Sequence, residues 1–96
     1  MQNRSKAEEL LLRAADLVAG PRNTTHGDKE SSFCAIAEMW TTYLCNRRQP
    51  YGPIRPRDVC QMISLLKKMR AEWGTPEEDH FVDDAGYSAI AGELSE

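Results

Sequence analysis

The sequence predicts an all-α fold, a single-domain bundle of four main helices formed by residues 1–96. Apolar residues recur at helical spacing in four segments, which is the primary sign of amphipathic helices. Glycine and proline separate these segments, and no segment alternates apolar and polar residues in the pattern of a strand. We therefore expect helices at about residues 6–19, 29–45, 56–73 and 76–94.

Residues typical of helix starts support these boundaries. Ser5 precedes the first helix, and Glu8 follows it at the spacing of a capping box. Asp28 is placed to cap the second helix, and Pro56 occupies the first position of the third. Thr75 is placed to cap the fourth helix in the same way.

Two segments depart from the regular helical pattern. Residues 46–55 contain Pro50, Gly52 and Pro53 together with arginines, so they form a turn-rich, cationic connection. Gly86 lies inside the fourth helix, where glycine costs about 1 kcal/mol relative to alanine. We expect this glycine to allow the close approach of a ligand or of a crossing helix.

The apolar faces of the four helices define the expected core. Trp40 and Tyr43 share a face with Phe33 and Ile36, which favours packing over stacking against a nucleic-acid base. The expected core residues are Leu11, Val18, Phe33, Ile36, Trp40, Leu44, Val59, Met62, Ile63, Leu66 and Ile90. A chain of 96 residues buries only a modest core, so we expect a homo-oligomer that covers further apolar surface.

Composition and charge argue against several classes of protein. Hydrophobic residues make up 41% of the chain and charged residues 28%, as in ordinary soluble globular proteins. The net charge is −3 with acids and bases interspersed, so long DNA or RNA is not an expected partner. No apolar run approaches a membrane span and no signal region opens the chain, so we expect no membrane partner and a cytoplasmic location. Cys34, Cys45 and Cys60 lack metal-site spacing and are expected to be buried or half-buried thiols.

A candidate ligand site begins in the loop between the first two helices. His26 supplies a titratable imidazole, Gly27 lets the backbone come close, and Asp28 places a carboxylate at a helix entrance. Arg22 adds a cation to the same loop. The alternative role for His26 is to brace the loop by hydrogen-bonding a backbone carbonyl.

The third helix carries a pair of cations that could hold an anion. Lys67 and Arg70 stand at i and i+3, close enough on a helix to grip a phosphate or a carboxylate together. The alternative is a solvated basic face, which the neighbouring Lys68 favours. The spacing by itself leaves both interpretations open.

The fourth helix places acidic residues on one face. Asp79 and Asp83 stand at i and i+4, where like charges are mildly destabilising unless solvent screens them or a cation offsets them. That cation could be Mg²⁺, which prefers oxygen ligands, or it could be Lys67 or Arg70 from the third helix. Tyr87 is placed to stack on a ligand or to hydrogen-bond it.

Ordered motifs run through most of the chain: R-A-A-D-L-V at Arg13–Val18, His26-Gly27-Asp28, F-x-x-I-A-x-x-W at Phe33–Trp40, Asp58-Val59 with Met62, L-L-K-x-x-R at Leu65–Arg70, and D-x-x-x-D-x-x-G-Y at Asp79–Tyr87. In this order they resemble a family of small phage and prophage proteins. The resemblance implies an all-α fold and a phage context, and it implies no particular activity.

A more distant similarity is to the all-α nucleotide pyrophosphohydrolases of the MazG type. Their paired acidic motifs hold magnesium against a nucleoside triphosphate. Asp79, Asp83 and Asp84 match the later of these motifs, whereas the earlier one has no counterpart, because Glu30 and Glu38 are eight residues apart. The resemblance therefore implies a binding fold more firmly than hydrolysis.

Three functions are consistent with these residues. The first is a phage-type cytoplasmic protein that binds a small phosphorylated, nucleotide-like ligand, sequesters it from host defence and requires no cofactor. Its site would contain Arg22, His26, Asp28, Lys67, Arg70, Asp79, Asp83 and Tyr87. The second is a Mg²⁺-dependent nucleoside triphosphate pyrophosphohydrolase with Asp79 and Asp83 as metal ligands. The third is an inhibitor that binds a protein through the loop around Tyr51. The sequence does not decide between binding and hydrolysis.

Overall fold

The computed structural model describes residues 3–19, 29–73 and 77–96, and within these ranges it contains four α-helices and no strand. The helices are α1 (Lys6–Ala19), α2 (Lys29–Cys45), α3 (Pro56–Glu72) and α4 (Glu78–Glu93). The all-α prediction is therefore confirmed. The predicted bounds agree with the first two helices and differ by one or two residues at the ends of the other two.

Local hydrogen bonds at the helix starts explain this agreement. The Ser5 Oγ accepts a hydrogen bond from the Glu8 backbone N–H at 3.2 Å, as a capping residue does. Pro56 occupies the first position of α3, where its missing N–H costs nothing. Asp28 and Thr75, the predicted caps of α2 and α4, lie outside the described residues.

Helices α3 and α4 pack against each other along most of their length, and α2 crosses the amino-terminal half of α3. The Trp40 indole N–H of α2 donates to the Met62 carbonyl of α3 at 2.8 Å. The buried apolar residues are Ile36 on α2, Ala71 on α3 and Ala91 on α4. Small side chains at two of these three positions let α3 and α4 approach closely.

The predicted core is only partly confirmed. Ile36 is buried and Trp40, Leu44, Met62, Ile63 and Leu66 are half-buried. The prediction is wrong for five residues, which are exposed by 43% or more: Leu11, Val18, Phe33, Val59 and Ile90. Cys34 and Cys45 are also exposed, and only Cys60 is half-buried as expected. Periodicity identifies the apolar face of a helix, but it does not tell whether another helix covers that face.

The chain is elongated, with a radius of gyration of 17.0 Å and extents of 57 × 29 × 25 Å. A compact chain of this length has a radius of gyration of about 12–13 Å. The extra length is consistent with α1, which buries none of its residues. Within the described residues, no helix is both long and apolar enough to cross a membrane.

No helix approaches Gly86 closely in the described part of the chain, so the predicted helix crossing is wrong there, while the approach of a ligand stays a prediction. A Cβ atom built on Gly86 meets no other atom within 4 Å. The Gly86→Ala variant should therefore gain about 0.5–1 kcal/mol in free energy of unfolding, because alanine loses less backbone entropy in a helix. Urea unfolding followed by circular dichroism measures this gain.

The matched control is Gly52→Ala in the connection between α2 and α3. A Cβ atom at Gly52 would lie 3.2 Å from the Gln49 carbonyl oxygen, so the loop must shift to accept it. We expect no gain in stability from this second variant. A destabilised Gly86→Ala variant would contradict the open environment seen around α4.

Candidate functional site

A buried carboxylate connects α2, the following loop and α3. Asp58 lies in the first turn of α3 and is completely inaccessible to solvent, with 0% of its surface exposed. Its Oδ2 accepts hydrogen bonds from the Arg55 backbone N–H at 2.9 Å and from Arg47 Nη1 at 3.0 Å. Its Oδ1 accepts one from the Tyr43 hydroxyl at 2.9 Å. We call Tyr43, Arg47, Arg55 and Asp58 the Asp58 network.

Arg47 holds the loop in place with all of its donors. Besides Asp58, its guanidinium donates at 3.0–3.1 Å to four backbone carbonyls, those of Leu44, Pro50, Gly52 and Pro53. These five hydrogen bonds use every N–H that an arginine side chain has. The side chain is only 7% exposed, so Arg47 is a structural residue with no donor left for a ligand.

The Asp58 network keeps the carboxylate ionised. Burial raises the pKa of Asp58, but hydrogen bonds from the Arg55 amide, Tyr43 and Arg47, with the charge of Arg55, outweigh burial and lower the pKa to about 2. Burial and the hydrogen bond to Asp58 raise the pKa of Tyr43 in turn. The tyrosine therefore stays a hydrogen-bond donor over the physiological pH range.

Beside this network lies a cleft of about 470 Å³, which we call the arginine cleft. Its lining residues are Thr42, Tyr43, Asn46, Arg47, Arg48, Gln49, Arg55, Arg57 and Asp58. Four arginines and one aspartate line it, which gives a formal charge of +3. Positive charge is thus concentrated at this cleft, although the whole chain has a net charge of −3.

Three of the four arginines are not committed to the loop carbonyls as Arg47 is. Arg48 is exposed and makes no ion pair within the described ranges. The Arg57 Nε is buried and has no hydrogen-bond partner there, so reorienting this side chain sacrifices no bond at that atom. The Arg55 side chain is 46% exposed, with its Nε 3.5 Å from Asp58 Oδ2. These groups can form bidentate hydrogen bonds with a phosphate or a carboxylate.

The structure brings some of the predicted site residues together on α3 and α4. Lys67 Nζ lies 3.1 Å from Asp83 Oδ2, so a lysine is the cation that faces this carboxylate. Arg70 is half-buried one turn further along α3, and Tyr87 is half-buried on α4. Asp79 is exposed in the first turn of α4. The remaining predicted residues, Arg22, His26 and Asp28, lie outside the described residues.

A second polar cluster lies next to the Lys67–Asp83 pair. The carboxylate of Asp84 accepts hydrogen bonds from the Ser64 hydroxyl and from Lys68, and Ser64 Oγ is 3.2 Å from Ser88 Oγ. Burial raises the pKa of Asp84, but the hydrogen bonds from Lys68 and Ser64 and the charge of Lys68 hold it below its usual range. The cluster therefore fixes how α3 and α4 pair.

The described residues contain no group of three or more His, Cys, Asp or Glu side chains arranged to hold a metal ion. Asp79 and Asp83 are the ligands expected for Mg²⁺. In the described part of the chain, no third His, Cys, Asp or Glu side chain completes a metal site with them. One of these two carboxylates is already paired with Lys67. Mg²⁺ binding by these residues stays a prediction.

Sequence reasoning missed the arginine cleft. It identified residues 46–55 as a cationic connection and placed Asp58 in the first turn of α3, but it did not join the two. The available signal was a carboxylate at the third position of a helix, directly after a loop containing three arginines and two prolines. Such a carboxylate can accept both the free amides of the helix start and an arginine from the loop.

Comparisons with known proteins place the chain among phage proteins. Residues 9–95 match a family described as a domain of unknown function, DUF6378. The Gene 55 protein of Mycobacterium phage D29 is 29% identical over 90 residues, which cover 94% of this chain and 56% of the relative. The Gene 55 protein of Mycobacterium phage L5 is 30% identical over 81 residues, which cover 84% and 49%. The chain thus spans about half the length of these relatives. No solved structure matches it.

The first prediction from this site concerns Arg47. The Arg47→Ala variant leaves Asp58 as a buried charge without its ion-pair partner, and it leaves the carbonyls of Leu44 in α2 and of Pro50, Gly52 and Pro53 in the loop without this donor. We expect it to lose about 3–5 kcal/mol in free energy of unfolding. The neighbouring Arg48→Ala variant, which removes an exposed side chain, should change stability by less than about 0.5 kcal/mol. Urea unfolding compares the two, and equal losses would show that Arg47 does not hold the loop.

The second prediction concerns pH. The folded pKa of Asp58, about 2, lies below the value of about 3.9 in an unfolded chain. Asp58 therefore contributes stability that is fully present above the unfolded value and is lost as pH falls towards 2. The Asp58→Asn variant should be less stable near neutral pH but should lose less stability between about pH 5 and pH 2.5. Parallel pH dependences for the two proteins would contradict the assignment.

Proposed function

Because the chain belongs to the DUF6378 family, a phage protein family of unknown function, we propose a function from its own geometry: it binds a small phosphorylated, nucleotide-like ligand in the arginine cleft. The observation that carries this proposal is a formal charge of +3 on one cleft of a chain whose net charge is −3. In the cytoplasm of a host cell, such binding would sequester the ligand from host defence proteins. No cofactor is needed for this role.

The size and chemistry of the arginine cleft support a ligand of this class. Its volume of about 470 Å³ falls within the range of about 300–1,000 Å³ that is usual for small-molecule sites. Arg48, Arg55 and Arg57 supply planar guanidinium groups that match the oxygens of a phosphate. Thr42 and Asn46 add neutral hydrogen-bonding groups for the remainder of the ligand.

The Asp58 network makes the cleft a prepared site. Arg47 and Asp58 hold the loop that carries Arg48 and the helix start that carries Arg55 and Arg57. A ligand therefore meets arginines whose backbone is already ordered, which reduces the entropy lost on binding. Loss of this order would weaken binding even with every cationic side chain present.

The site predicted on α3 and α4 is a competing position for the same ligand. There the ammonium of Lys67 is already paired with Asp83 at 3.1 Å, whereas Arg48 and Arg57 have no paired carboxylate in the described ranges. We therefore favour the arginine cleft for phosphate recognition. Magnesium-dependent hydrolysis through Asp79 and Asp83 is the enzymatic alternative, and it would require turnover that EDTA abolishes.

A second candidate function is inhibition through protein binding, and one observation favours it. The Tyr51 side chain is fully exposed, at 102% of its reference surface, and Ile54 on the same loop is 54% exposed. Exposed aromatic residues on a rigid loop are typical of protein interfaces. The loop is held rigid by Arg47, so it could present Tyr51 to a partner in one conformation.

Isothermal titration with a panel of nucleoside mono-, di- and triphosphates tests the lead proposal. The Arg48→Ala and Arg57→Ala variants should each weaken binding about tenfold or more, because each loses a charge-assisted hydrogen bond. Arg4→Ala, which removes an exposed arginine outside the cleft, is the matched control and should bind normally. Chromatography of the titrated samples with and without EDTA reports hydrolysis.

The same series separates the alternatives. Loss of binding in Lys67→Ala and Arg70→Ala, but not in the cleft variants, would move the ligand to α3 and α4. Nucleotide turnover that Asp79→Asn and Asp83→Asn abolish would establish the enzyme. No binding to any nucleotide, together with capture of a host protein that Tyr51→Ala loses, would replace the proposal with the inhibitor function.

A further inference from the structure

Helix α1 presents an apolar face that is exposed in the described part of the chain. Its leucines Leu10, Leu11 and Leu17 are 51%, 70% and 56% exposed, and α1 buries none of its residues. These leucines and Ala14 recur at i, i+1, i+4 and i+7, so they lie on one side of the helix. We call Leu10, Leu11, Ala14 and Leu17 the α1 apolar face.

The helical state of α1 requires that this face be covered. Isolated helices shorter than about 12–15 residues are marginal in water, and helices in proteins are stabilised mainly by packing of an apolar face. α1 has 14 residues, and the buried apolar residues of the described chain, Ile36, Ala71 and Ala91, all lie on other helices. We therefore expect α1 to be stabilised by packing against a surface other than α2, α3 and α4.

The charges beside the α1 apolar face match a second copy of the same helix. Lys6, Glu9, Arg13 and Asp16 follow one edge of the face. Lys6 and Glu9 pair within the helix, with Lys6 Nζ 4.0 Å from the Glu9 carboxylate, whereas Arg13 and Asp16 make no ion pair in the described ranges and can pair with a second copy. In an antiparallel pair of identical helices this edge faces itself. In a parallel pair it would face the opposite edge, where Glu8 and Ala15 lie and no cation stands.

We propose that the protein self-associates through α1, in an antiparallel pair whose two-fold axis passes between Ala14 and Ala15. Arg13 then lies opposite Asp16 of the second copy, and the reverse pair forms on the other side of the axis. Ala14 at the centre lets the two helices approach closely, while Leu10, Leu11 and Leu17 of each copy fill the seam.

The strength of this contact follows from its size. A standard interface buries about 800 Å² on each partner. One face of a 14-residue helix, about 21 Å long, offers less than this. The pair should therefore be a reversible dimer that dissociates on dilution. This association is independent of the arginine cleft, whose lining residues lie in 42–58.

Sedimentation equilibrium over a range of concentrations measures the association of the 10.8 kDa chain. Leu11→Glu should weaken it at least about tenfold, because each dimer loses two buried leucines and gains two charges in the seam. Phe81→Glu is the matched control, since it changes a residue that is 60% exposed on α4, and it should associate normally. Circular dichroism of each variant reports whether α1 still forms.

Charge reversal tests the antiparallel register. Arg13→Asp and Asp16→Arg each bring like charges together across the axis, so each variant alone should self-associate several-fold more weakly. Mixed in equal amounts, the acidic and the basic variant should form a heterodimer at the parent affinity, because every opposed pair is again of opposite charge. A monomer at all concentrations, unchanged association in Leu11→Glu, or no recovery in the mixture would overturn the proposal.

Discussion

The ion pair between Arg47 and Asp58 is the interaction on which the remainder of the structure depends. Two charges out of water are costly unless hydrogen bonds satisfy their remaining donors and acceptors, and here they do. Arg47 donates its other hydrogen bonds to the Leu44 carbonyl at the end of α2 and to three carbonyls of a loop that contains Pro50 and Pro53 and has no regular structure of its own. Asp58 receives Tyr43 from α2 and the Arg55 amide from the start of α3. The relation between α2 and α3 is therefore set by polar groups as much as by apolar packing.

This arrangement divides the arginines of one short segment into two kinds. Arg47 is buried and fully hydrogen-bonded, whereas Arg48 projects from the next position and makes no ion pair in the described part of the chain. Arg55 and Arg57 flank the buried carboxylate on the other side of the loop. One arginine orders the backbone that carries the others, so a structural ion pair also supports the anion site that we propose.

Polar contacts also fix the pairing of α3 and α4, since the apolar core is small. Ser64 is buried between these helices and donates to Asp84, which Lys68 also contacts. Lys67 and Asp83 form a second pair alongside. These polar groups find their hydrogen-bond partners in only one register of α3 against α4. This requirement makes the helix pairing more specific than the three buried apolar side chains alone would. Large apolar residues remain exposed in the described ranges, most of all on α1.

The sequence by itself determined the helices, because the signals for a helix are local. The apolar residues repeat from turn to turn, and Ser5 and Pro56 each favour a helix start within one turn. The predicted ends agree with the structure within two residues. The same signals could not decide burial, because Leu11 is apolar in the sequence whether or not another helix reaches it. The sequence also offered Lys67 as one possible partner of Asp83, and the tertiary structure placed it there. Only the tertiary structure decided that Asp58 is buried. Its partners Tyr43 and Arg47 lie 15 and 11 residues away in the sequence, and they reach Asp58 because the chain folds back on itself. No local spacing in the sequence encodes that contact.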